Sequence, residues 1–387
     1  MIRSLLSILV CVYVTTTQAV PETSASVLKQ YCTPEEAHAV ARLFVFYNLD
    51  SSDCPSDFWL KELRIKSEQE NEFRQKVLLY IGFNKGYGIA SWLNTWTEGY
   101  SSASVSDGGT GSRSGTGSAW LQALTTVQGG AREAVADCGV CGDCRRALQP
   151  PQPPLTRSFN TTIVGIDLNP FNVDLVGNIS KQFPHLVPPE STTLYLEHAA
   201  VSNKDGVVSV DNARGTSFEG LAIRPGREQD TEYEDYQVVR QVTVDTLVDE
   251  LLGRGVLPSP PGSVGSRRKS AIHPNKAKLL APLVDVLVVD AEGFDPLVLQ
   301  GARALLRRRE ARIIVFEYHD LCPWPIYLLR TVLWHIERWE YVCYFQSQRR
   351  RLWRISGESL VAQCTAQCTA GTYFNMCIVC RLLGCAI

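Results

Sequence analysis

Leu283 to Gly301 reads LVDVLVVDAEGFDPLVLQG: an apolar run, two carboxylates where it stops, and then an amphipathic stretch. Val284 to Val289 alternates too little for a half-exposed strand, and its Val/Leu content predicts a central parallel strand buried on both faces. Strands of that kind belong to α/β sheets, whose ligands bind at the carboxyl edge. Asp290 and Glu292 stand at that edge and mark a candidate site. Beyond Gly293, Leu297, Val298, Ala304, Leu305 and Leu306 recur at helical spacing, and Arg307 to Arg309 complement the negative end of a helix dipole. One helix is therefore expected there. A second buried strand, RIIVFE at Arg312 to Glu317, again ends in a carboxylate, with His319 and Asp320 just beyond. Two adjacent crossover units thus deliver polar groups to one edge of a sheet.

Working outward, VLLYI at Val77 to Ile81 predicts a strand, followed by a glycine turn, Gly82 to Gly88, and a helix over Ile89 to Asn94. Such a turn lets a ligand approach the main chain, and the helix start offers free N–H groups to oxygen-rich partners. The glycines at 82, 86 and 88 do not follow the dinucleotide spacing G-x-G-x-x-G, which argues against a nicotinamide cofactor. TIVGID at Thr162 to Asp167 is the next buried strand, and Asn169-Pro170 opens a helix. An acid at the end of a second strand can accept from both ribose hydroxyls of a nucleotide, while Asn169 is the better placed of the two to cap the helix. Thr193 to Ser202 is read as one strand, with Val207 to Asp211 turning back on it as a hairpin. Val238 to Val242 is extended, and a helix runs from Val244 to Gly253. Toward the carboxyl terminus, Ile326 to Arg338 is helical, and Tyr341 to Phe345 and Tyr373 to Cys380 form an antiparallel pair at a sheet edge.

The chain has 387 residues, 45% of them hydrophobic, which is enough for a large core. Its 38 basic and 40 acidic side chains leave no global field for nucleic acid. Met1 to Arg3 precede an apolar run from Leu5 to Val14 and the small residues Thr17-Gln18-Ala19, so residues 1–19 read as a signal peptide. The run is shorter than the roughly 20 residues that span a bilayer, so no stable membrane span is expected after cleavage. Residues 20–75 read as a helical extension, with Cys32 and Cys54 paired, and residues 76–387 as the main domain. Two segments of altered composition interrupt it: 98–158, Gly/Ser-rich, then a short helical stretch, then Cys-rich, and 258–279, rich in Pro and basic residues.

Thirteen cysteines, Cys11 within the leader, and the sequons at Asn160 and Asn178 fit a chain that enters the secretory pathway or is exported. Cys138, Cys141 and Cys144, and Cys364, Cys368, Cys377 and Cys380, have metal-like spacing. The inferred compartment favours disulfides over zinc, and no metal site is assigned.

The order of these pieces resembles the FkbM family of S-adenosylmethionine-dependent methyltransferases. The likeness covers roughly Val77 to Arg381 outside the two insertions and rests on four blocks: YIGFNKGYG, GIDLNPFN, VTVDTLVDELL, and VDVLVVDAEGFDPLVLQGARALL with IIVFEYH. The last is the most demanding combination. It implies a Rossmann-like class I methyltransferase fold, α/β, with a mostly parallel sheet, helices on both faces and an antiparallel edge hairpin. By the same likeness Gly82, Asn84 and Gly86 would line the methionine and ribose side of S-adenosylmethionine, Asp167 would bind the ribose, and Asp290 and Glu292 would face the reacting centre.

Methyl transfer asks for an aligned acceptor and, for an alcohol, a base to take its proton. Asp290, Glu292, Glu317 and His319 are the candidates, Asp290 and His319 foremost. The compartment suggests a small-molecule or glycan hydroxyl as acceptor. Tyr80 stands where such enzymes carry an acid at the end of the first strand, and Val288 where the family often has Lys. These departures motivate an alternative: a catalytically inactive secreted binding or structural protein on the same fold.

Overall fold

A computed structural model describes residues 56–70, 72, 74–97, 116–128, 159–211, 223–224, 236–259, 282–318, 327, 329–346, 352–355 and 376–382. The leader, the paired cysteines expected at Cys32 and Cys54, the Cys138 cluster, Cys364 and Cys368, most of the basic insertion and His319 lie outside these residues.

The central strand is β8, Val284–Val289. It lies between β1, Lys76–Ile81, and β9, Ala311–Tyr318, parallel to both. With β2, Thr161–Asp167, and β3, Thr192–His198, these make five adjacent parallel strands in the order β3-β2-β1-β8-β9. The chain thus lays strands outward from β1 to β3 and then returns to the other side of β1. That reversal puts a topological switch point between β1 and β8.

Beyond β9 the direction changes. β12, Met376–Leu382, is antiparallel to β9 and to β10, Tyr341–Gln346, and β11, Leu352–Arg354, completes the eight-stranded sheet. The expected pairing of the last two long strands forms, but β12 is interior and β11 takes the edge. Cys343 and Cys380 face each other in register on β10 and β12 and form a disulfide.

Helices cover both faces because the strands are apolar on both. One layer is α1, Ser56–Gln69, α2, Tyr87–Trp96, α3, Thr116–Gln128, and α4, Pro170–Gln182, packed around Leu78, Tyr80 and Ile163. The other is α5, Val244–Gly253, α6, Asp295–Gly301, α7, Arg303–Arg307, and α8, Leu329–Glu337, packed around Leu79, Ile81 and Leu287.

Two expectations are corrected. The stretch read as one strand over Thr193 to Ser202 breaks at Ala199, whose N–H donates to the Asp167 carbonyl. The chain then crosses into a second sheet as β4, Ala200–Ser202. There β7, Tyr236–Thr243, separates β4 from β5, Gly206–Asp211, so the expected hairpin does not form. Two-residue β6, Ile223–Arg224, pairs with β5 at the outer edge. Asp205, in the turn before β5, accepts hydrogen bonds from Thr243 N–H and the Thr246 hydroxyl at the start of α5 instead.

The single helix expected after Gly293 is likewise two. A β-carbon on Gly301 would lie 2.0 Å from the Ser202 carbonyl oxygen, so α6 ends where it meets β4. Asp245 then accepts from the N–H groups of Ala304 and Leu305 at 2.7 and 2.8 Å and caps α7. Tertiary contacts from two distant elements make this break.

Asp285 interrupts the apolar character of β8 for a reason at the amino edge of the sheet. It is fully buried, accepts from Val77 N–H at 2.8 Å, and pairs bidentately with Arg74. Glu72 joins Arg74, Lys76 and Arg312 beside it. Lys76, itself fully buried, also lies 5.2 and 5.5 Å from the ring centres of Trp96 and Phe159. These charges hold the end of the sheet remote from the candidate site.

Candidate functional site

At the switch point the chains leaving β1 and β8 touch. Gly82 has φ +77, and a β-carbon there would sit 1.8 Å from the Asp290 carbonyl oxygen. Gly82 N–H donates to Ile166 O at 2.7 Å and Asp290 N–H to Ile81 O at 2.9 Å, which carries the ladder just past the ends of the strands. Glycine is needed here for protein–protein approach as well as for its backbone angle.

The turn continues through Asn84, φ 49, to Gly86, φ +78. A β-carbon on Gly86 would meet Trp120 of α3 at 2.8 Å and Val176 of α4 at 3.0 Å, and the Trp120 indole N–H donates to Lys85 O at 3.0 Å. The helix within the segment read as an insertion therefore braces the glycine turn. Its Gly/Ser-rich approach gives no sign of this in the sequence.

Asp167, at the end of β2, is 6% exposed. Its Oδ1 accepts from Asn169 N–H at 2.8 Å and from the Asn172 side-chain amide at 3.3 Å; its Oδ2 accepts from Asn84 N–H at 2.8 Å. Burial pushes its pKa up to about 6, against the pull of these three donors. Asn169 caps α4 through Phe171 N–H, as its position predicts. Asp167 thus ties the glycine turn to the start of α4, and three of its four lone-pair positions are already used.

Tyr80 is buried near the end of β1. Its ring packs over α2, so that a β-carbon on Gly88 would fall 2.3 Å from it.

On the β8 side of the switch point, Asp290, Ala291 and Glu292 are half-buried. Glu292 and Gly293 both have left-handed backbones, φ 48 and 96. For a glutamate that conformation costs roughly 1–2 kcal/mol, and strain of this kind gathers at functional sites. The pair turns the chain into α6, whose first residue is Asp295.

Asp295 is fully buried and accepts from Glu317 N–H at 3.1 Å, so β8 and β9 are joined just beyond their ends. Burial pushes its pKa up to about 7, with the Glu292 charge adding to the rise and main-chain N–H donors opposing it. In the sequence, Asp295-Pro296 reads as an ordinary first turn of a helix with an acid on the dipole. Only the packing shows a carboxyl sealed between two strand ends.

The sequence-derived residues therefore fall into two groups on the carboxyl edge: Gly82, Asn84, Gly86 and Asp167 on the β1–β2 side, and Asp290, Glu292 and Glu317 on the β8–β9 side. Asp295, Asn172 and Trp120 join them from the structure. Among the described residues no group of His, Cys, Asp and Glu is arranged to hold a metal ion. On the β2 side the buried side chains present acceptors: Asp167 Oδ2 takes one hydrogen bond, and Asn172 Oδ1 takes none among the described residues. No helix among the described residues is long and apolar enough to cross a membrane. Comparison with protein-family models, curated proteins and solved structures finds no match to this chain.

Proposed function

We propose that this chain is an S-adenosylmethionine-dependent methyltransferase of the FkbM type, acting on a hydroxyl oxygen of a small molecule or glycan in the secretory pathway or outside the cell. The observation that carries the reading is the switch point between β1 and β8, with a braced glycine turn and Asp167 on one side of it and carboxylates on the other. The order β3-β2-β1-β8-β9 and the antiparallel β12 beyond it support the class I assignment.

When bound, the cofactor supplies a methyl carbon on a cationic sulfur that leaves with the electron pair of the broken bond. The chain's own tasks are to align the acceptor and take its proton. Asp290 and Glu292, half-buried just beyond the end of β8, are the candidates for that purpose, with the buried Glu317 on the neighbouring β9 and His319 two residues further along the chain. Asp295 fixes the end of β9 through the Glu317 N–H and so sets where that second strand delivers its groups. Acidic side chains also suit a centre beside a sulfonium.

A second reading, a secreted binding protein on the same fold, is favoured by Tyr80, whose ring takes the acid's place against α2. Calorimetry on the full secreted chain separates the two. Micromolar binding of S-adenosylmethionine or S-adenosylhomocysteine is expected; no heat from either at high concentration would favour the binding protein.

A further inference from the structure

We propose that Asn172 is a ligand-binding residue that reads a vicinal diol together with Asp167, one hydroxyl donating to Asp167 Oδ2 and its neighbour to Asn172 Oδ1. The inference rests on the nucleoside cofactor proposed above and adds which atoms hold its ribose.

Asn172 lies in the first turn of α4 and is 5% exposed. Its Nδ2 donates to Asp167 Oδ1 at 3.3 Å, and that bond decides which way the amide faces, because a carboxylate oxygen accepts and does not donate. The other end of the amide is then the oxygen. Among the described residues Asn172 Oδ1 accepts no hydrogen bond. Folded proteins leave few buried carbonyl oxygens in that condition, and a ligand or water is the usual answer.

The position of the amide favours a ligand. Val176, one turn further along α4, would lie 3.0 Å from a β-carbon on Gly86, so this face of the helix is turned to the glycine loop. The loop's Asn84 N–H reaches Asp167 Oδ2, which retains one lone pair, whereas Oδ1 already accepts two hydrogen bonds. Asp167 alone therefore lacks the capacity to receive two hydroxyls, and the unused acceptor on Asn172 supplies the second. Both waiting atoms are acceptors, so the partner must donate twice: a cis-diol fits, and a phosphate or carboxylate is repelled.

The test measures binding of S-adenosylhomocysteine and of its 2′-deoxy and 3′-deoxy ribose analogues to the full-length protein and to Asn172→Leu, which keeps the shape and removes the acceptor. The wild type should bind at least one deoxy analogue about tenfold more weakly than the parent. Asn172→Leu should bind the parent about tenfold more weakly, and should no longer distinguish it from that analogue. A folded Asn172→Leu that binds the parent like the wild type would overturn the proposal and assign the orphan oxygen to water. Wild-type protein indifferent to both missing hydroxyls would overturn it without any variant, which covers the case in which Asn172→Leu does not fold. If the wild type binds the parent not at all, the cofactor reading itself falls, and this inference with it.

Discussion

The Gly82 Cα faces the Asp290 carbonyl oxygen so closely that an added β-carbon would lie 1.8 Å from it. The first glycine of the turn is thereby committed to the joint between β1 and β8. Gly82→Ala combines a left-handed backbone, φ +77, with a main-chain clash, and should destabilise the fold by about 3 kcal/mol. Urea unfolding checks this. Gly253→Ala is the control, since no atom lies within 4 Å of its added carbon; it should leave stability within about 1 kcal/mol or raise it.

Asp167→Asn keeps the shape but turns an amide NH2 toward main-chain N–H groups that now donate to carboxylate oxygens, those of Asn84 or Asn169. Stability should fall by about 2 kcal/mol. If the proposed site is right, affinity for S-adenosylhomocysteine should fall by about tenfold or more in the same variant. Loss of stability with unchanged affinity, by urea unfolding and calorimetry on one preparation, would leave Asp167 as a brace alone.

Stability should peak at mildly acidic pH. Asp167 and Asp295 have pKa values raised by burial to about 6 and about 7. An unfolded carboxyl of that kind ionises near pH 3.8. Each group therefore costs stability progressively as pH rises from there to its folded pKa, and no further above it. Glu72 works the other way. Arg312, Lys76 and Arg74 hold it down to about 2 although burial opposes them, so its contribution is present above about pH 4.5 and is lost as pH falls toward 2. Asp295→Asn should reduce the stability difference between pH 5 and pH 8 by about 3 kcal/mol. Thermal melts of both proteins at the two values test it, and an unchanged difference would show that Asp295 does not titrate as its burial implies.

Cys343 and Cys380 close a loop of 37 residues. Loop entropy alone makes such a bridge worth about 4 kcal/mol, less any strain in the folded state. Cys343→Ser, or reduction of the wild type, should lower the melting temperature sharply, while a chelator without reductant should not. Peptide mapping under non-reducing conditions should recover the two cysteines in one linked fragment.

The sequence by itself determined the parallel strands and their acids, because a run such as Val284 to Val289 has no polar face and must be buried on both sides. It also showed where each chain leaves the sheet: Gly82, Asp167, Asp290 and Glu317 lie at the ends of apolar runs. Local chemistry was enough for the Asn169 cap as well. Only the tertiary structure decided what those end groups touch. The break between α6 and α7 depends on Asp245 and Ser202, from elements distant in the chain, and the split of β3 from β4 depends on which sheet takes each half. Trp120 reaches the glycine turn from a short helical stretch inside an insertion, where nothing in the local sequence names its partner. Asn172 and Asp295 look like ordinary first-turn residues until packing seals one against Asp167 and the other against β9. The physical reason is the same in each case: periodicity reports which residues must leave water, whereas the partners of a buried polar group are set by chains that meet only after folding.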